Sequence, residues 1–137
     1  MTGYDRRMSS PAQRWADGWE RGWQEHDAEA VAALYAEDTV DYSAPFRPPN
    51  EGRAAVLAYA KWAFAEETEQ EVRFGEPVAE GDRAVVEWWA TRIDEGREST
   101  LAGCTVLRFG PDGLVAEARN YWHEEEGRRP PFAGWGR

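Results

Sequence analysis

Few side chains in this sequence combine a reactive type with a spacing that chemistry requires. His26 and His123 could each move a proton or ligate a metal, yet nearly the whole chain separates them and neither belongs to an HxxxH-type pair, so no metal site is expected. His26 falls in the link between two helical segments and is expected in solvent. Cys104 stands alone, with no partner for a disulfide or zinc site and no neighbour to activate its thiol, so it reads as a small hydrophobe. The runs Glu66-Glu67 and Glu124-Glu125-Glu126 fall at the ends of elements, where solvated charge is expected. What stands out is aromatic: Trp15, Trp19 and Trp23 recur four residues apart. Rings of that size wall a core, an interface or a ligand pocket.

The elements that must position these residues follow from capping and period. Ser10-Pro11 is a capping residue followed by a proline suited to the first helical turn, and the three tryptophans then share one helical face. Asp27 caps a second, short helix carrying Val31, Leu34 and Tyr35, with Glu29 in its first turn. A brief strand is expected at 39–43. Pro45, Pro48 and Pro49 force an irregular link into a third helix, which starts near Gly52 and buries Val56, Ala60, Ala63 and Phe64. Past Gln70 the period changes, and 72–78, 84–92, 100–109 and 114–122 read as strands separated by Glu80-Gly81-Asp82, Asp94-Glu95-Gly96 and Gly110-Pro111-Asp112-Gly113. Breaks this short make neighbouring strands antiparallel. The division is an N-terminal tail over 1–10, one domain over 11–123 and a C-terminal tail over 124–137, in which Phe132 and Trp135 are candidates to dock.

A chain of 137 residues buries one hydrophobic core and not two. A formal net charge of −10 repels polyanions, which disfavours nucleic acid as a partner. No apolar run is long enough to span a bilayer, and the polar N-terminus lacks the apolar stretch of a secretory signal, so a cytoplasmic protein without a membrane partner is expected. Helices first and strands last predict an α+β fold, with helices covering one face of a strongly bent antiparallel sheet. Trp88 and Trp89, like Tyr121 and Trp122, are adjacent on strands and must point to opposite faces. Aromatics on the outer face predict a homodimer through Trp89, Tyr121 and Val106; the competing reading lays these rings under the C-terminal tail.

From about Trp15 to Trp122 the chain resembles the nuclear transport factor 2-like superfamily, and within it the SnoaL-like subgroup. The resemblance rests on Leu34-Tyr35-Ala36-Glu37-Asp38-Thr39-Val40, the proline-rich link into Gly52-Arg53, Leu107-Arg108-Phe109 before Asp112-Gly113, and the closing Arg119-Asn120-Tyr121-Trp122. It implies a cone-shaped sheet packed on three N-terminal helices, with a pocket between cone and helices. The inward set would include Trp88, Ala90 and Arg92; Leu101, Gly103, Thr105 and Leu107; and Ala118, Asn120 and Trp122. Trp19, Tyr35 and Tyr42 would face them from the helical side.

The superfamily's chemistries fit this sequence poorly. Against ketosteroid isomerases, the helix 1 tyrosine corresponds to Trp19, the base to Tyr42 with Asp41 beside it facing away, and the oxyanion acid to Thr105. Without the base, proton abstraction beside a carbonyl has no agent. Arg92-Ile93-Asp94 resembles the Arg-x-Asp phrase of limonene epoxide hydrolase-like members, whose second aspartate would fall at Asn120; an amide orients a water or carbonyl but cannot give up a proton. Arg92 and Asp94 are expected at a solvated rim. SnoaL-type cyclases use an Asp near the end of the last strand, where this chain has Asn120 and then His123, turned away by alternation.

The candidate catalytic residues are therefore Asn120, Tyr42, Arg92 and Asp94, and the substrate-binding set is Trp19, Tyr35, Tyr42, Trp88, Thr105, Asn120 and Trp122, with no cofactor and no metal. Three readings stay open: a cofactor-independent isomerase, cyclase, dehydratase or hydrolase acting on a small hydrophobic, oxygenated metabolite; a non-catalytic binding or accessory module with the same pocket; and a structural dimer whose cavity its own tryptophans fill.

Overall fold

Ser10 and Pro11 open the first helix as their chemistry dictates. In the computed structural model, which describes residues 10–137, the Ser10 hydroxyl accepts the Gln13 backbone N–H at 3.1 Å, and helix α1 spans Pro11–Glu25. It ends at His26, whose φ of 55° turns the chain. The Asp27 carboxylate accepts from the Ala30 N–H and starts α2, Ala28–Ala32. The N-terminal tail expected over 1–10 lies outside the described residues apart from Ser10.

Helical spacing did not carry α2 as far as Tyr35. Strand β1 already runs Tyr35–Tyr42, because Tyr35 pairs with Val115, whose N–H binds the Leu34 carbonyl at 3.0 Å. A sheet partner for the backbone outweighs a weak local propensity. After β2 (Asn50–Glu51), Gly52 at φ 92° admits α3, Arg53–Phe64. The single strand expected at 72–78 is instead two, β3 (Glu67–Phe74) and β4 (Val78–Glu80), followed by β5 (Arg83–Asp94), β6 (Arg97–Phe109) and β7 (Val115–Glu126).

These strands form one sheet in the order β2-β1-β7-β6-β5-β3, with β4 also on β5. The pairings joined by tight turns are antiparallel as predicted, but β1 runs parallel to β7, so the sheet is mixed. Chain-distant strands have no hairpin to set their direction. The inner face carries Ala84, Val86, Trp88 and Ala90 of β5 and Leu101, Thr105 and Leu107 of β6, buried against Trp15, Val31, Val56 and Phe64 of the helices. Gly103 sits where the sheet pinches: a Cβ there would lie 2.1 Å from the Tyr121 carbonyl oxygen, and its neighbours across the ladder are Trp88 and Trp122.

The chain beyond Glu126 folds back over the outer face. Trp135 is buried edge-on against Trp89 with ring centres 6.0 Å apart, the Trp89 indole N–H donates to the Arg129 carbonyl at 2.7 Å, and Arg73 stands 5.1 Å from the Trp135 ring centre. Trp89, assigned from sequence to a contact with a second copy, is thus covered by its own chain; a ring donating to local backbone gains more than one left bare. Phe132, the other candidate to dock, is exposed, as are Tyr121 and Val85, while Val106 is half-buried. Among the described residues no helix is long and apolar enough to cross a membrane.

Candidate functional site

A cavity of about 370 Å³ lies between the inner sheet face, α1 and α3. Helical spacing puts Trp15, Trp19 and Trp23 along its α1 wall, strand alternation supplies Trp88 and Trp122, and Phe74 of β3 stacks beside Trp19 and Trp88. The Trp15 and Trp19 indoles both donate to the Tyr35 hydroxyl, at 3.2 and 2.8 Å. Tyr35, expected on the pocket wall, therefore stands behind the tryptophans and holds them; it is 1% exposed and outside the cavity lining. Burial, with the nearby Asp41 charge, keeps its phenol far above the ordinary range, so it is a fixed neutral acceptor.

At one end of the cavity a chain of hydrogen bonds crosses four strands. The Trp88 indole donates to Thr105 Oγ1 at 2.9 Å, the Thr105 hydroxyl donates to Asn120 Oδ1 at 2.6 Å, and Asn120 Nδ2 donates to Asp41 Oδ1 at 3.1 Å and to the Tyr42 carbonyl at 2.8 Å. Asn50 Nδ2 reaches the other Asp41 oxygen at 3.2 Å. Both amide protons of Asn120 are thereby used, and its orientation is fixed, since a flip would set its oxygen against the Asp41 carboxylate and the Tyr42 carbonyl. The capacity left is a lone pair on Oδ1, which suits a ligand hydroxyl.

Asp41 and Tyr42 both depart from the orientation expected of them, and neither lines the cavity. Asp41 was assigned outward and is buried against Asn120; Tyr42 contributes its backbone carbonyl, and its side chain is absent from the cavity lining. The buried side chains of β1 are Tyr35, Thr39 and Asp41, all of one parity, so alternation counted from Tyr35 turns Asp41 inward and Tyr42 away. Burial raises the Asp41 carboxyl above the usual carboxylate range, with the Asn50 and Asn120 amides offsetting part of the effect.

The other end is ionic. Glu67 was read as solvated, but its side chain is 1% exposed and accepts from the Trp23 indole (2.8 Å) and Arg92 Nη1 (3.2 Å), with His26 Nε2 at 2.9 Å. His26, also expected in solvent, is half-buried and stacks on Phe64 with ring centres 4.9 Å apart. Arg92 is not at a solvated rim: its side chain is 14% exposed, and its second nitrogen reaches Glu124 at 3.4 Å and Asp94 at 3.7 Å. Asn120 does not join this group. It opposes Thr105, whereas Arg92 opposes Ser99, six residues further along the ladder, so no Asp-Arg-Asn cluster forms. Glu66 lies in the turn before β3 and Glu67 is the first residue of that strand; both line the cavity, and nothing local to the pair announced it. His123 is exposed, and burial pushes the half-buried Cys104 thiol up, away from reactivity.

Comparison with known proteins agrees with this architecture. A family model described as SnoaL-like domain matches residues 12–118. No curated protein matches the chain. Among solved structures, RV0760c from Mycobacterium tuberculosis is 24% identical with a TM-score of 0.75, covering 86% of this chain and 97% of its own. A computationally designed 17-OHP binder is 24% identical with a TM-score of 0.74, covering 87% of this chain and 100% of its own. SalBIII, an epoxide hydrolase/cyclase-like enzyme with a role in pyran ring formation in the polyether salinomycin, is 18% identical with a TM-score of 0.73, covering 93% of this chain and 100% of its own. At these identities the likeness is one of fold.

Proposed function

The chain belongs to the SnoaL-like domain family, and from that premise we propose that its cavity binds a small, largely apolar, oxygenated molecule and holds an oxygen of it at Asn120. The observation that carries this reading is the half-buried Asn120 amide at the aromatic end of the cavity, fixed by Thr105, Asp41 and the Tyr42 carbonyl with one acceptor position to spare. Convergent polar groups in an apolar concavity are the usual mark of a ligand site. That one structural neighbour is a designed binder and another an enzyme supports a small-molecule pocket without choosing between binding and turnover. The test is native mass spectrometry of freshly purified protein: a co-purified molecule of small mass supports the reading, and a chain that neither arrives loaded nor takes up small oxygenated hydrophobes in a screen defeats it.

Cofactor-independent turnover of that molecule is the second reading, and Asp41 favours it. It is a buried carboxyl with a raised pKa, 3.1 Å from the Asn120 amide, and a carboxyl that burial makes more basic is useful for acid–base work. If turnover occurs, Asp41→Asn abolishes it while ligand binding persists; turnover surviving in that variant rejects the role.

For assembly, we propose a homodimer through the part of the outer face the C-terminal segment leaves bare, at Val85, Val106 and Tyr121, supported by the exposure of Tyr121 (44%) on β7 and Val85 (39%) on β5, on either side of β6.

A further inference from the structure

The ionic end of the cavity holds more negative charge than its cations balance. Arg92 is divided among Glu67, Glu124 and Asp94, and Glu67 takes the shortest contact. Glu66 and Glu95 also line this end, and neither has a cationic partner among the described residues. They are not there by loose chance: the Glu95 N–H donates to the Glu66 carbonyl at 3.2 Å, which holds two carboxylate-bearing residues together at the opening. Like charges placed so repel each other until a cation comes between them.

Aromatic faces stand beside these carboxylates. Trp62, 68% exposed on α3, lies one turn before Glu66, and Trp122 lies two residues before Glu124 on the same face of β7. One of these rings already carries a cation: the Arg47 guanidinium stands 5.5 Å from the centre of the Trp122 ring. Arg47 is exposed, and its side chain is otherwise held by a 3.5 Å hydrogen bond to the Tyr59 hydroxyl, so a ligand could displace it at small cost. Aromatic faces combined with unpaired carboxylates select cations, and the chain's net charge of −10 draws them in.

We propose that the ligand of this cavity carries a cationic group, a protonated amine or quaternary ammonium, received at the opening by Trp62, Trp122, Glu66 and Glu95 while its apolar body lies among the inner tryptophans. This inference rests on the small-molecule reading of the same cavity and narrows it to one chemical class. A ligand bearing a carboxylate would meet the same carboxylates, with Arg47 as the cation at the opening left to receive it, and is expected to bind more weakly.

Three probes with one apolar body separate the possibilities: adamantan-1-ylmethylammonium, adamantan-1-ylmethanol and adamantane-1-carboxylate, titrated against the full chain with tryptophan fluorescence as the readout. The ammonium is expected to bind about tenfold tighter than the alcohol, the gain of one well-placed cation–π and carboxylate contact. The carboxylate is expected to be weakest, and the ammonium preference to grow as salt is lowered. Glu66→Gln/Glu95→Gln, at two exposed positions where the fold is indifferent, should erase the preference and leave alcohol binding unchanged. An alcohol that binds as well as the ammonium, or a preference that survives in the double variant, overturns the cationic assignment and leaves the cavity reading standing. If none of the three binds, the cationic assignment is overturned, and the cavity reading is decided separately by co-purification and the wider screen.

Discussion

Asn120 of the last strand donates its amide to the buried carboxyl of Asp41 in the first, across 3.1 Å and between two strands that run parallel. The amide presented to the aromatic part of the cavity beside Thr105 is thus oriented by a carboxyl behind it. Changing either residue alters the other.

Asn120→Asp sets a second carboxyl against Asp41. Two carboxylates at this distance cannot both ionise without cost, so the variant should unfold at lower urea than the parent at neutral pH and recover most of the difference at mildly acidic pH. Urea titrations at the two pH values check this; a pH-independent difference would mean that the two groups do not interact.

Asp41→Asn addresses the raised pKa directly. Because the folded chain holds the Asp41 proton more tightly than the unfolded chain, Asp41 favours folding below its ordinary pKa of 3.8 and loses that advantage as pH rises through its higher folded value. The stability of Asp41→Asn relative to the parent should therefore increase across that window and then level off. A relative stability that falls as pH rises would reverse the assigned direction.

Glu67→Leu should cost about 3–5 kcal/mol, since Arg92 is left as a largely buried charge without its nearest partner and the Trp23 indole loses its acceptor. Chemical denaturation measures it. A loss below about 1 kcal/mol would mark the cluster as an ordinary solvated ion pair.

Gly103→Ala should destabilise by more than the 1–3 kcal/mol usual for overpacking, because the added Cβ meets backbone and not the tip of a flexible side chain. Thermal unfolding is the measurement, and near-parental stability would show that β6 and β7 can move apart.

Much of the fold was legible because its determinants are local. Ser10-Pro11 and Asp27 start helices, Gly81 and Gly96 close turns at positive φ, and period-two alternation fixes the faces of β5, β6 and β7. Alternation groups Trp88, Thr105, Asn120 and Trp122 on shared strand faces, the family resemblance marked those faces as inward, and these residues line the cavity with Trp19. The parallel pairing of β1 with β7 was not, since it joins segments with most of the chain between them. Asp41 was missed because Tyr35 was read as part of a helix and not as the first inward residue of β1, so the parity it shares with Asp41 was not counted. Glu67 and His26 were missed because what buries them, Arg92 and Phe64, is remote in sequence. The contact of Trp89 with its own chain was the weaker of two readings because the segment that covers it, ending in Trp135, resembles a solvated tail in composition.

The oligomer proposal has its own check. Val106→Lys on the bare outer face should convert a dimer to a monomer in light scattering without disturbing the cavity; a parent chain that is already monomeric at micromolar concentration ends it.

The acceptor left free on Asn120 can be tested by pairing adamantan-1-ylmethanol with its methyl ether, which keeps the oxygen and lacks the donor, against the parent chain and Asn120→Leu. The alcohol should bind the parent more tightly by about 1 kcal/mol, near fivefold, and this advantage should vanish in the variant. Equal affinity of alcohol and ether for the parent, or an advantage untouched by Asn120→Leu, would contradict Asn120 as the group that holds the ligand's oxygen.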